Sequence, residues 1–288
     1  MYKIDAHNHP DFYGFDFAKQ IANMDEAGIS KACLLSLEGP WDEHGPNSAS
    51  PISSEYALPL ERCLSYRDKA PDRFIIGYAP DPRESESLFK LKNAINTYGV
   101  QVYGEVKFRM MYDNPDAIEM FRFCGENGLP VILHFDYAYA RKPNMAAHRR
   151  FSWFGGDIDT LERMLQLCPD TKFLGHAPGF WGCISDSDEW KTVVYPDGPV
   201  VRGGKVEQFL EKYPNLYCDC SGGSGQIALS RDPEYTKQLM LQYPDRFIFA
   251  RDCFDNKLSE FVDSLDLPQN ILEGFYHKNF EAILPAIK

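Results

Sequence analysis

His7 and His9 stand two residues apart near the start of the 288-residue chain, in the run Ile4-Asp5-Ala6-His7-Asn8-His9-Pro10. A β-strand alternates its faces, so side chains two apart point the same way, and two imidazoles presented together make a metal-ligand pair. The alternative is two polar residues in the turn before Pro10. Three more groups of ligating type end short apolar runs. His134 follows Val131-Ile132-Leu133, His176 follows Lys172-Phe173-Leu174-Gly175, and Asp252 follows Phe247-Ile248-Phe249-Ala250-Arg251. One histidine at a strand end is usually a satisfied structural residue, but His or Asp closing four separate strands is not expected by chance. Imidazole with carboxylate and no thiolate suits a divalent transition ion with a position open for water: zinc first, with manganese, iron or cobalt as alternatives. Such an ion lowers the pKa of water towards about 7 and polarises a carbonyl, which is the chemistry of hydrolysis at neutral pH.

These residues need elements that bring them to one height. Apolar, β-rich runs at 3–8, 31–37, 74–79, 101–108, 131–135, 172–176, 215–220 and 246–251 alternate with helical periodicity at about 16–28, 54–68, 85–98, 115–127, 158–167, 204–213, 232–242 and 256–265. Asp157 is placed to cap the fifth helix and Gly28 to end the first. Strand starts lie about 35 residues apart on average, the length of a βα unit with its loops. Eight units predict an α/β fold, a (β/α)8 TIM barrel with the metal site at the C-terminal ends of its strands. No linker or composition shift divides the chain, so residues 1–288 are expected to form one domain. A doubly wound sheet, the competing fold, usually carries a Gly-rich phosphate turn after its first strand, where this chain has His7-Asn8-His9-Pro10. Long strand-to-helix connections at 38–53, 136–156 and 177–203 would share the catalytic face.

His-x-His after strand one, His after strands five and six and Asp after strand eight resembles the amidohydrolase superfamily. The likeness is greatest to its amidohydrolase-related branch, which holds aminocarboxymuconate semialdehyde decarboxylase-like enzymes and TIM-barrel metal hydrolases. The matching positions run in order from residue 7 to residue 252, and Tyr276-His277-Lys278-Asn279-Phe280 is similar to the branch's terminal Asn-containing helix start. The resemblance implies that His7, His9 and Asp252 hold the metal, with His134 as a further ligand. It also implies that His176 orients the water or stabilises the developing oxyanion while Asp252 takes the proton. Strand four adds Glu105 and Lys107 on one face. Other superfamily members use a Glu or a carbamylated Lys there to bridge two ions, so one or two ions are expected; a Glu–Lys ion pair plugging the barrel is the structural alternative. The chain departs from the family at Ala250-Arg251-Asp252, where many relatives have Gly-Ser-Asp or Gly-Thr-Asp. Arg251 either faces the helix layer or turns inward to pair with Asp252.

The connection after strand five carries Arg141, Lys142, Arg149 and Arg150 with no acidic residue from 137 to 156, in a chain of net charge −12. Tyr137, Tyr139, Phe151, Trp153 and Phe154 interleave with it. A small substrate with a carboxylate beside a planar or apolar body fits this patch. Arg141, Arg149, Arg150 and Lys107 would bind the anion and Trp181, behind His176, would wall the pocket; a solvated basic loop or an oligomer contact is the alternative. The acidic balance, with a pI near 5.1, opposes nucleic acid and anionic membranes, and so sets aside the TatD-like nucleases that also carry a strand-four Glu. The N-terminus has neither a basic nor an apolar leader region and no apolar run approaches eighteen residues, so a cytoplasmic location is expected. Eight cysteines without a C-x-x-C pair read as reduced thiols. His44, His148 and His277 match no ligand position. The expected function is metal-dependent hydrolysis of a small, carboxylate-bearing molecule. Non-oxidative decarboxylation by the same constellation is the runner-up, and a catalytically silent barrel is a third reading. Barrels of this kind often form homodimers, although no interface is legible in the sequence.

Overall fold

The computed structural model describes residues 1–40, 56–136 and 153–286. Parallel strands β1 (Ile4–Asn8), β2 (Lys31–Leu35) and β5 (Phe74–Gly77) form one hydrogen-bonded run. The other run comprises β6 (Tyr103–Val106), β7 (Val131–His134), β8 (Phe173–His176), β9 (Leu216–Asp219) and β10 (Phe247–Ile248) in sequence order. An antiparallel hairpin of β3 (Leu37–Pro40) and β4 (Tyr56–Leu58) is inserted after β2. The two runs meet at both seams. Gly77 bridges Val102 and the Tyr78 N–H donates to the Val102 carbonyl at 3.0 Å, while the Ala6 N–H donates to the Phe249 carbonyl at 3.1 Å. The architecture is a (β/α)8 barrel, and each of the eight barrel strands falls inside a run expected from the sequence.

Helices Phe17–Glu26, Leu60–Lys69, Ser87–Tyr98, Pro115–Glu126, Ile158–Leu167, Lys205–Lys212, Pro233–Gln242 and Lys257–Asp263 return the chain between strands. Their ends carry the expected devices. Asp157 and Thr160 form a capping box, Asn114 caps a helix whose first residue is Pro115, and Gly28 and Gly99 take positive φ where helices stop. Two further short helices, Pro178–Trp181 and Gly222–Ser230, sit on the catalytic face ahead of the main helices. At the opposite end, Asn279 opens helix Asn279–Ile283 and its amide donates to the carbonyls of Pro244 and Phe247, both at 2.9 Å. That contact seats Phe280 and Ile283 under the barrel, against Ile4 and Ile248.

Strict alternation fails at two strands, and the failures position the site. Between Asp5 and Asn8 the partner strand advances only from Ala32 to Leu34; between Tyr103 and Val106 it advances only from Val131 to Leu133. Each strand absorbs one extra residue as a bulge, which changes the face its following residues present. Below the bulges Ile4, Ala6 and Val102 fill the barrel interior. Above them His7, His9 and Glu105 turn inward. Strands β7 and β8 keep simple alternation, from Ile132 to His134 and from Leu174 to His176, while Asp252 follows the short β10 in a left-handed conformation. All eight cysteines are free, and no helix among the described residues is long and apolar enough to cross a membrane.

Candidate metal centre

His9 fixes the chemistry at the mouth of β1. Its Nδ1 lies 2.9 Å from the Leu35 carbonyl, which can only accept, so Nδ1 carries the proton and Nε2 offers a lone pair. His7 is oriented the same way by Asp219, whose Oδ2 lies 2.7 Å from Nδ1. The two Nε2 atoms face each other at 3.3 Å. Glu105 Oε2 stands 3.3 Å from His9 Nε2 and 3.7 Å from His7 Nε2. Asp252 Oδ1 lies 3.5 and 3.9 Å from the same two nitrogens. That oxygen is buried without a hydrogen-bond partner, an arrangement that is costly unless a cation occupies the space it faces. Two imidazole nitrogens and two carboxylate oxygens converging on one point fit a divalent transition ion, whose binding would displace the proton from His7.

The second oxygen of Glu105 extends the cluster. Oε1 lies 2.6 Å from His134 Nδ1 and 4.0 Å from His176 Nε2, and β7 and β8 are paired so that His134 and His176 are direct neighbours. Donor atoms therefore group as His7, His9 and Glu105 on one side and as Glu105, His134 and His176 on the other. Glu105 and Lys107 form no ion pair: the Lys107 ammonium rests 5.6 Å from the centroid of the Phe154 ring, with no hydrogen-bond acceptor among the described residues.

Burial and neighbouring charge set the protonation states. Burial, reinforced by the Lys107 charge, pulls His134 down to about 4; burial with His7 and His134 nearby pulls His176 down to about 3, so both are neutral at physiological pH. Burial also opposes charge on His7, but Asp219 and Asp252 outweigh it and hold this imidazole well above its ordinary value. Asp219, although buried, is held down to about 2 by His7 and His176. Burial pushes the Asp252 carboxyl up. Burial acts on Glu105 in the same sense, yet Lys107 and His134 keep it well below the usual carboxylate range.

Arg251 does not enter the site. Its Nε pairs with Asp5 Oδ2 at 2.9 Å and its Nη1 reaches Asn23 Oδ1 at 2.9 Å, on the outer face between β1 and β10. Trp181, behind His176, is buried. Its indole N–H donates to the Asp219 carbonyl at 2.9 Å and its ring packs on Phe180, so it braces the end of β9. Arg141, Arg149 and Arg150 lie outside the described residues, as do His44 and His148. His277 pairs with Glu281 on the terminal helix, far along the chain from every ligand position.

Asp219 and Ser221 were not singled out in the sequence. The Ser221 hydroxyl lies 2.9 Å from His176 Nδ1, and its N–H donates to Asp219 Oδ1 at 2.9 Å. A signal existed for Asp219: it ends strand Leu216-Tyr217-Cys218-Asp219 with the same inward phase as His134 and His176 on theirs. Backbone geometry is unusual at the same rim. Ala177 and Asp252, each following a barrel strand, hold φ of 74° and 48°, conformations that non-glycine residues adopt chiefly where surrounding structure forces them.

Parallel barrel, imidazole pair and converging carboxylates make up a protein of the (β/α)8 class with a site fitted to a divalent metal. The amidohydrolase family model matches residues 4–285, and the chain belongs to that family. Among solved structures, an uncharacterised TIM-barrel protein from Bordetella bronchiseptica aligns over 98% of both chains at 16% identity and a TM-score of 0.63. A dihydroxybenzoic acid decarboxylase from Polaromonas sp. JS666, with bound manganese and the inhibitor 2-nitroresorcinol, covers 98% of this chain and 96% of its own at 16% identity and a TM-score of 0.58. A protein of Acinetobacter baumannii assigned as a 2-pyrone-4,6-dicarboxylic acid hydrolase, with citric acid bound, covers 98% and 99% at 12% identity and a TM-score of 0.59. At such identities the likeness establishes the fold. No curated protein sequence matches the chain.

Proposed function

We propose that the protein is a metal-dependent hydrolase acting on a small, carboxylate-bearing molecule. The observation that carries this reading is the unpartnered Asp252 Oδ1, aimed at the paired Nε2 atoms of His7 and His9. His7, His9, Glu105 and Asp252 would hold the cation, and His134 with the second oxygen of Glu105 offers room for another. A divalent ion, zinc in the first instance, supplies Lewis acidity and an acidified water. Asp252 is suited to receive the water's proton, because burial has already raised its affinity for one. His176 is neutral, with Nδ1 engaged by Ser221, which leaves Nε2 to meet the reacting oxygen from the far side; that atom stands 3.8 Å from Asp252 Oδ2. Lys107 provides a cation at the rim for a substrate carboxylate.

Decarboxylation is the second reading, favoured by the same Lys107 placement and by the decarboxylase among the structural neighbours. In that case His176 would deliver a proton to the carbon losing CO₂. Product analysis separates the two: label from H₂¹⁸O enters the organic product of hydrolysis, whereas a decarboxylase releases CO₂ and leaves its organic product unlabelled. A silent barrel predicts neither. Elemental analysis of chelator-free protein beside the His7→Ala/His9→Ala variant comes first. About one or two equivalents of transition metal per chain, lost in the variant, are expected, and metal-free protein from replete growth would overturn the proposal.

A further inference from the structure

Helix Gly222–Ser230 begins at the metal centre, and its first turn is left open. The helix has nine residues and starts from Ser221, whose hydroxyl lies against His176 and does not cap it. The Gly222 N–H is used by the Arg251 carbonyl at 2.7 Å and the Gly225 N–H by the Ser221 carbonyl at 3.3 Å. The Gly223 and Ser224 N–H groups have no acceptor among the described residues. A second observation points into the same space. Ser224 is 94% buried, since only 6% of it is exposed, and its hydroxyl, which is not fully enclosed, has no hydrogen-bond partner among the described residues.

Gly222 shows what lies near that hydroxyl. A methyl group at Gly222 would stand 3.8 Å from Ser224 Oγ, 3.7 Å from His176 Cε1 and 3.7 Å from Asp252 Oδ2. The absent side chain thus leaves a cradle between the helix start and the two proposed catalytic groups, and φ of +68° at this position favours glycine. Free N–H groups at a helix start, together with the positive end of its dipole, form an anion site.

Resting on the metal-dependent reading above, we infer that Gly223 N–H, Ser224 N–H and Ser224 Oγ form a subsite for a substrate carboxylate beside the metal. Three donors match the two oxygens of a carboxylate. A phosphate dianion would meet more repulsion from Asp252 Oδ2 at the rim, whose sister oxygen faces the cation position. Lys107 follows strand β6, which β7 and β8 separate from β9, so a substrate with two acidic groups would be held at both ends.

Calorimetric titration of metal-loaded protein with benzoate, and with benzamide as the neutral isostere, tests the subsite. Benzoate is expected to bind more tightly than benzamide, and Ser224→Ala to weaken benzoate roughly tenfold with benzamide, metal content and melting temperature unchanged. Equal benzoate affinity in wild type and Ser224→Ala, or no preference for benzoate over benzamide, overturns the cradle. Metal content, read on the same samples, reports separately on the reading beneath it. A chain that holds no metal overturns the hydrolase, and the same paired titrations, run on that metal-free chain, still decide the cradle.

Discussion

At the scale of single residues, Asp219 decides how His7 behaves. A carboxylate on Nδ1 does three things to an imidazole ligand: it fixes the tautomer, it fixes the ring orientation and it raises the basicity of Nε2. Asp219 can do this because it is fully buried and held ionised by two histidines and the Ser221 N–H. Asp219→Asn keeps the shape but substitutes a neutral amide, so His7 loses its anionic partner. Metal affinity should fall about 10- to 100-fold, read by competition with a chromogenic chelator, while the melting temperature of the metal-free protein changes little by comparison. An unchanged affinity would remove Asp219 from the metal's support. The residue also shows what a single sequence conceals. Asp219 shares the strand-end position that exposed His134 and His176, but it sits within Cys218-Asp219-Cys220, where the cysteines draw the eye.

At the scale of elements, the sequence carries the eight barrel strands and their eight helices because each has a simple period and half of the helices have a side-chain cap at their start. It does not carry the bulges in β1 and β6. A bulge shows only in the pairing of two strands, so alternation within one strand foretold that His7 and His9 face together but not that they follow Ala6 inward. The β3–β4 hairpin and helix Gly222–Ser230 were missed for another reason: the two strands are too short to show a period, and the Gly-rich helix lacks an amphipathic one. The hairpin brings its own prediction. Glu38 on β3 accepts the Leu60 N–H at 2.8 Å and so caps helix Leu60–Lys69. Burial pushes its carboxyl up to about 8 from an ordinary 4.5, with Glu61 adding to the rise and Ser36, the Leu60 N–H and Lys90 opposing it. The folded chain therefore holds this proton more tightly than the unfolded chain. The resulting stabilisation is complete below about pH 4.5 and is lost as the pH rises through about 8, an effect of at most about 5 kcal/mol. Glu38→Gln keeps an acceptor for Leu60 and cannot ionise, so urea unfolding should show the variant gaining on wild type from pH 5 to pH 8. Parallel stability profiles would show that Glu38 ionises in the folded protein much as it does in water.

At the scale of the whole molecule, the proposed ligands come from both ends of the chain: His7 and His9 from the first strand, Glu105, His134 and His176 from the middle, and Asp252 from beyond the last. The unfolded chain has no such site, so binding energy becomes folding energy. The ion would also tie β1 to β10, a seam already closed by the Ala6 N–H to Phe249 contact and by the buried Asp5–Arg251 pair. Free metal at 1,000 times its dissociation constant would add about 4 kcal/mol to stability. For a domain of this size that corresponds to roughly 8–15 °C in melting temperature. Wild-type protein stripped with a chelator should melt lower by that amount and recover when zinc or manganese is restored. The His7→Ala/His9→Ala variant should melt at one temperature with or without metal, because what remains of the cluster lacks both nitrogens that face Asp252. If stripped and loaded wild type melted together, the converging carboxylates would have to be satisfied some other way, and the orphaned Asp252 oxygen would then mark a protonated acid rather than a ligand.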